Sequence, residues 1–235
     1  MIEAVFFDMD GVIVDSELAK GLSWRKLFEV YRVSNVDGAD WYRERIGRHG
    51  RDLIKETIET FKIQRGIDEL FSEQVGYSKA LEREAEPIQG TIELIKSLSV
   101  DIIVNGYFRG VVSSNYKDVI DGHLIRAGIE KCFDVITSGV EDVPQDRQKP
   151  FPDVYLFAFN KVKKIINCSI DGGFTPENCL AIEDTSSGIQ AAKSAGMHTI
   201  GFRNYNSGNQ DLSQADFVLD DLTNLKEDMA DYFPN

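Results

Sequence analysis

From Pro87 onward the hydrophobic pattern switches period again and again, and no other feature of the 235-residue chain constrains its fold as much. Short apolar runs read as strands buried on both faces: residues 110–113 (GVVS), 133–137 (FDVIT), 179–182 (CLAI), 198–202 (HTIGF) and 217–219 (FVL). Between them lie stretches of helical spacing, at residues 91–98, 116–127, 152–163 and 185–195. Alternation of this kind predicts an α/β fold in which helices cover both faces of a doubly wound parallel sheet. A further strand-like run, residues 4–7, precedes the first glycine, Gly11.

The stretch between these two regions has no strand pattern. Leu18, Leu22, Leu27, Phe28 and Tyr31 recur near one helical face, as do Leu53, Ile54, Ile58 and Phe61. A charged helical stretch follows over residues 68–86 and ends at Pro87. The predicted organisation is an α/β core of residues 1–15 and 87–235, with an all-helical module of residues 16–86 inserted after the first strand. Residues 99–109 have room for one more strand, and residues 203–214 read as a polar loop.

Composition narrows the function classes. A net charge of −13 argues against a nucleic-acid partner, because such binding rests on neutralising phosphates with basic patches. It leaves a small anionic substrate open, since distant surface charges are screened and a local cation can dominate. The three cysteines, Cys132, Cys168 and Cys179, are too few and too irregularly spaced for a disulfide framework or a zinc site, so buried reduced thiols are expected. The first residues, MIEAVFFD, lack the basic and apolar regions of a secretory signal. No run reaches the ~18 apolar residues of a membrane helix. The default expectation is a cytoplasmic protein without a membrane partner. Oligomeric state is not legible, and a monomer is compatible with everything above.

Polar residues gather at the carboxyl ends of the predicted strands, where open α/β sheets place their ligands. Asp8 and Asp10 follow the first strand; Ser113, Ser114 and Asn115 follow the second; Glu183 and Asp184 follow another. Lys149 precedes a helix opening at Pro152. Four carboxylates, one ammonium and a hydroxyl then converge. Like charges this close need a counter-charge, and oxygen ligands of this kind suit a hard divalent cation, Mg²⁺.

The segments DMDGVIVDSE, VVSSN, KPFPDVYL and IEDTSSGIQAAKSAGM occur in the order of the four motifs of the haloacid dehalogenase-like hydrolase superfamily, and the sequence resembles its β-phosphoglucomutase and sugar-phosphatase branch. The resemblance implies a Rossmann-like core with the helical insert as a small cap. It also implies residue roles. Asp8 would be the nucleophile that forms an aspartyl-phosphate. Asp10 would protonate the leaving alkoxide and then activate water. Gly11 would let the chain turn around the phosphoryl group, and Ser113, with Ser114 and Asn115 beside it, would hydrogen-bond its oxygens. Lys149 would neutralise charge and hold Asp8. Asp8, Asp10 through its backbone carbonyl, and Asp184 would form the Mg²⁺ site, with Glu183 a second ligand or a water holder. A halide leaving group needs no proton, so the second aspartate itself favours phosphoryl chemistry.

Other polar residues have local readings. Asp15 and Glu17 suit the start of a helix, Asp15 as its cap. Asp153 suits a first helical turn, and His123 and His198 read as structural. Arg43, Arg45, Arg48, His49 and Arg51 read mostly as a solvated face, from which His49 and Arg51 are the candidate substrate contacts, with Lys20 near the predicted hinge. The family's mutases carry a hinge histidine where this chain has Lys20. The later segment offers Lys79 and Arg83 without a clear match to the mutase lysine. The expectation is a Mg²⁺-dependent phosphatase of a small phosphorylated metabolite, a sugar phosphate above all. A β-phosphoglucomutase is the first alternative, and a non-catalytic phospho-ligand sensor the second.

Overall fold

Trp24, Phe28 and Trp41 hold the strand-free stretch together. Their rings meet at 5.1 Å (Trp24–Trp41) and 5.5 Å (Phe28–Trp41), and Phe61 adds a contact to Phe28 at 4.9 Å. Such pairs contribute about 0.5–1.5 kcal/mol each beyond their burial. In the computed structural model, which describes residues 1–46, 48, 50–100, 107–167 and 173–233, four helices surround this cluster. They are α1 (Ser16–Val30), α2 (Gly38–Arg43), α3 (Gly50–Phe61) and α4 (Ile67–Glu82). Together with Tyr205–Asn209 they form one compact unit, Asp15–Glu86.

Several local expectations change here. The buried face of α1 is Ala19, Ser23, Trp24, Leu27 and Phe28, whereas Leu18 is exposed. Leu27 and Phe28 keep their predicted places on this face, while Trp24 takes a core position that the leucine pattern omits. Helix α2 had no apolar repeat to announce it; it starts on Asp37, whose side chain accepts from the Ala39 and Asp40 amides. Asp15 stands at the head of α1 but makes no capping bond, and accepts instead from Asn206 Nδ2 at 2.6 Å. That tie brings part of the polar loop 203–214 into the helical unit rather than the α/β core. The described arginines of the basic run pair with acids inside the unit: Arg43 with Asp40, Arg45 and Arg48 with Glu56, and Arg51 with Asp68. His49 lies outside the described residues.

The second unit comprises Met1–Val14, Pro87–Asn204 and Gln210–Asn235. Its strands are β1 (Ala4–Phe7), β2 (Phe108–Ser113), β3 (Val135–Ser138), β4 (Cys179–Glu183), β5 (His198–Phe202) and β6 (Phe217–Leu219). They form one sheet in the order β3-β2-β1-β4-β5-β6, with every pairing parallel. The period of two decides which residues go where. Val5, Phe7, Leu180 and Ile182 face a core built with α5 (Gln89–Val100), α6 (Lys117–Ala127) and α9 (Leu225–Tyr232). Ala4, Phe6, Cys179 and Ala181 face the other, built with α7 (Asp153–Asn167) and α8 (Ser186–Ser194). Burying each large apolar side chain contributes about 1.5–3 kcal/mol.

The predicted strands fall where expected, with β2 starting two residues earlier and β3 two residues later. Residues 101–106, the other part of the hard-to-place segment, lie outside the described residues. Helix α9 was not foreseen. Asp153 opens α7 and pairs with Arg147 at 3.2 Å. His123 is buried, whereas His198 is half-buried beside Asp216 and Phe233. Cys179 is buried and Cys132 only half-buried, both as free thiols, and Cys168 lies outside the described residues. No helix among the described residues is long and apolar enough to cross a membrane.

Candidate active site

Strand order places β1 between β2 and β4, where the direction of strand addition reverses, and ligand sites in such sheets lie at this reversal. Asp8 leaves the end of β1 with its amide still bonded to Ile182 of β4, at 3.0 Å. The chain then turns back on itself: the amides of Ile13 and Val14 donate to Met9 O at 2.9 and 3.0 Å. Gly11 sits in this turn at φ +80°, a conformation that costs glycine little. Its own N–H is taken up by Val14 O at 2.8 Å, and its carbonyl accepts from Asn204 at 2.9 Å.

Lys149 arrives from the segment before α7 and closes the centre. Its ammonium lies 2.6 Å from Asp8 Oδ1, 2.6 Å from Glu183 Oε1 and 3.1 Å from Val112 O. Tyr155, on the first turn of α7, donates its hydroxyl to the same Glu183 oxygen at 2.6 Å. Asp8, Glu183 and Asp184 present carboxylate oxygens within 4.8 Å of one another, and all three residues are buried. Ser113 is also buried; its Oγ accepts from the Asn115 amide at 3.1 Å. Asn115 Nδ2 reaches across to Asp10 Oδ2 at 2.8 Å. Ser114 is exposed beside these residues.

The electrostatics follow from that packing. Burial pushes the Asp8 carboxyl up to about 8; Lys149 opposes the rise, while Glu183 and Asp10 add to it. Burial alone would lower the Lys149 ammonium, but Asp8 and Glu183 hold it well above the usual lysine range. Burial, with the Glu183 charge beside it, also raises the Tyr155 hydroxyl, so it stays a neutral donor. The Lys149 ammonium is shared by Asp8 and Glu183 beside Asp184, and this buried set of carboxylate oxygens matches a divalent cation bound by oxygen.

The structure thus brings together Asp8, Lys149, Glu183 and Asp184, and joins Asp10 to Asn115. Lys20 and Arg51 belong to the helical unit, where Lys20 pairs with Glu17 at 2.7 Å and Arg51 with Asp68 at 2.6 Å. Four neighbours, Tyr155, Thr185, Gly188 and Ser138, carried no functional reading from the sequence. Tyr155 supports Glu183. Thr185 caps α8 by accepting from the Gly188 amide at 3.2 Å, and Gly188 leaves room for the Glu183 carboxylate. Ser138 holds the Asn115 carbonyl at 2.6 Å. Tyr155 and Gly188 lie within the quoted motifs, so their positions were visible although their targets were not.

A family model described as haloacid dehalogenase-like hydrolase matches residues 5–202. The chain is 27% identical over 227 residues to the validoxylamine A 7'-phosphate phosphatase of Streptomyces hygroscopicus subsp. limoneus, covering 96% of this chain and 97% of that one. It is 28% identical over 210 residues to the phosphorylated carbohydrates phosphatase of Thermotoga maritima, covering 85% and 84%. Among solved structures it is similar to β-phosphoglucomutase from Clostridium difficile, with a TM-score of 0.67 at 25% identity over 99% of this chain and 97% of that one.

Proposed function

Because the chain belongs to the haloacid dehalogenase-like hydrolases, we propose that it hydrolyses a phosphoric monoester of a small metabolite, with a sugar phosphate as substrate class. The observation that carries this reading is the buried Lys149 ammonium shared between Asp8 and Glu183 at 2.6 Å each. It holds one carboxylate oxygen of Asp8 in a fixed place at the reversal point of the sheet. The substrate class draws support from the relatives, whose names specify validoxylamine A 7'-phosphate and phosphorylated carbohydrates.

In this reading Asp8 attacks phosphorus, and the bond to the leaving oxygen breaks as Asp10 gives that oxygen a proton. The aspartyl-phosphate so formed is attacked by water, which loses its proton to Asp10, and Asp8 and phosphate are released. Lys149 neutralises charge on the transferring group and keeps Asp8 aimed. Ser113, whose Oγ already accepts from Asn115, has its hydroxyl proton to give to a phosphoryl oxygen. Asp8, Glu183 and Asp184 by their carboxylates, and Asp10 by its main-chain carbonyl, are the residues that would hold Mg²⁺. When bound, the ion supplies further charge neutralisation to the phosphoryl group. The helical unit serves as the cap that selects the substrate. Lys20, His49 and Arg51 are its candidate contacts, of which Lys20 would exchange Glu17 for substrate and Arg51 would exchange Asp68.

Phosphate release from a panel of sugar phosphates with Mg²⁺ tests the reading. Activity should vanish with EDTA and in Asp8→Asn; an Asp8→Asn variant keeping more than about a tenth of kcat contradicts the nucleophile. Conversion of β-glucose 1-phosphate to glucose 6-phosphate, primed by the bisphosphate, would replace the phosphatase by a mutase.

A further inference from the structure

We propose that Tyr155 is a positioning residue for Glu183: its hydroxyl assigns one carboxylate oxygen to Lys149 and leaves the other for a bound divalent cation. The inference rests on the preceding reading of Asp8, Glu183 and Asp184 as the cation site. Tyr155 is the third residue of α7 and is buried. Its hydroxyl donates to Glu183 Oε1 at 2.6 Å, and its ring centre lies 5.3 Å from the Lys149 ammonium. Glu183 ends β4, 28 residues further along the chain.

A carboxylate oxygen has two lone pairs to offer. At Glu183 Oε1 both are taken, one by Tyr155 and one by Lys149, each at 2.6 Å. The three protons of the Lys149 ammonium are spent as well, on Asp8 Oδ1 and Glu183 Oε1 at 2.6 Å and on Val112 O at 3.1 Å. Glu183 Oε2 meets only the Thr185 hydroxyl, at 3.4 Å. That is longer than the roughly 2.5–3.0 Å of an ordinary O–H···O bond. Oε2 is therefore the oxygen with lone pairs left for a cation, or for water that the cation carries. A single donor on Oε1 would be a pivot, about which the carboxylate can turn. The second donor, from α7, fixes its plane. Without the Tyr155 hydroxyl, Oε1 regains an open lone pair and competes with Oε2 for the cation, and turning toward it pulls against the Lys149 bond.

Affinity for Mg²⁺ separates this role from core filling. Tyr155→Phe removes one oxygen and keeps the ring beside Lys149. Groups that orient metal-binding side chains contribute about 10–100-fold in metal affinity, so the Kd for Mg²⁺ should rise by that factor in calorimetric titration of the metal-free protein at constant ionic strength. A hydroxyl that only completes the core would lower Tm in EDTA and leave Kd where it was. In a Glu183→Gln background the carboxylate is gone, and the same change should raise Kd by less than about threefold, because residues that act through one another are not additive. Thermal melting in EDTA shows that each protein is folded; if the double variant is not, the single variant decides alone. An unchanged Kd in Tyr155→Phe overturns the proposal, and so does an equal rise in both backgrounds. If the wild type takes up no Mg²⁺, or if Glu183→Gln binds it as tightly as the wild type, the cation reading of Glu183 fails and the role of Tyr155 falls with it.

Discussion

Gly188→Ala is the smallest change that should disarm the centre without touching any residue that contacts substrate. Gly188 lies in the first turn of α8, and a Cβ built there would stand 2.0 Å from the Glu183 carboxyl carbon and 2.0–2.2 Å from its oxygens. Reaching ordinary contact, which begins at 3.4 Å, requires a relative displacement of about 1.4 Å. Glu183 cannot yield that distance and keep its partners. Its Oε1 is held at 2.6 Å by both Lys149 and Tyr155, and Lys149 is tied to Asp8 at 2.6 Å and to Val112 O at 3.1 Å, so it cannot follow. Breaking a buried pair of this kind costs about 3–5 kcal/mol. Replacing glycine by alanine inside a helix returns about 1 kcal/mol. A net loss of about 3 kcal/mol lowers Tm by about 6–12 °C in a chain of this length. Because Lys149 is shared with Asp8, the ~1 Å displacement should also cost about 10²-fold in kcat for p-nitrophenyl phosphate. Circular-dichroism melting and phosphate release on the same preparation read both effects. Gly122→Ala, in α6 with nothing within 4 Å of the new Cβ, is the control and should gain about 1 kcal/mol. A Gly188→Ala protein that melts at or above the wild-type temperature and turns over normally would refute the account of Glu183.

Two further outcomes follow from groups away from the centre. Burial raises the Cys179 thiol to about 12, so in the native protein at pH 8 it should resist iodoacetamide while the unfolded chain is alkylated; a peptide map showing native labelling at the rate of a free thiol would contradict this. Burial tends to raise the Asp216 carboxyl, but Lys193 and the Thr199 amide and hydroxyl win and hold it below the usual carboxylate range. A depressed folded-state pKa stabilises above the unfolded value, about pH 4, and that contribution is lost as pH falls through the folded value. Asp216→Asn should therefore be less stable at pH 7 and show a flatter acid limb, which urea titrations at stepped pH measure; an unchanged acid limb would remove Asp216 from the account.

What the sequence made legible was whatever repeats locally. The apolar runs of β1, β2 and β4 announced both their burial and the strand ends at which Asp8, Ser113 and Glu183 stand. The grouping of those residues followed from one rule about open sheets. What stayed hidden was chosen by distant neighbours. Asp15 had the local signal of a helix cap, yet its bonded partner is Asn206, 191 residues away. Tyr155 falls on the apolar face of a helix, and nothing in its spacing discloses that its hydroxyl serves Glu183. Trp24 takes a place on the buried face of α1 that the leucine pattern omits, beside Leu27 and Phe28. Lys149 entered through its place in KPFPDVYL, and only the fold shows that one ammonium is divided between two carboxylates.

That division sets up a last test, independent of turnover. Asp8, Glu183 and Asp184 are buried within 4.8 Å of one another, and Lys149 supplies a single counter-charge. Repulsion among carboxylates in a dry setting is costly, and a bound divalent cation relieves it in the folded state alone, since the unfolded chain scatters these residues. Mg²⁺ at a hundred times its Kd should then stabilise by about 2.7 kcal/mol. For a chain of this length that is a rise in Tm of about 5–11 °C, reversed by EDTA. Asp184→Asn separates this site from diffuse binding to a surface of net charge −13. The variant removes one charge from the cluster, so without metal it should melt no lower than the wild type, while its response to Mg²⁺ shrinks to that of NaCl at equal ionic strength. If Asp184→Asn gains as many degrees from Mg²⁺ as the wild type does, the ion is bound elsewhere and the three carboxylates are held by protein contacts alone.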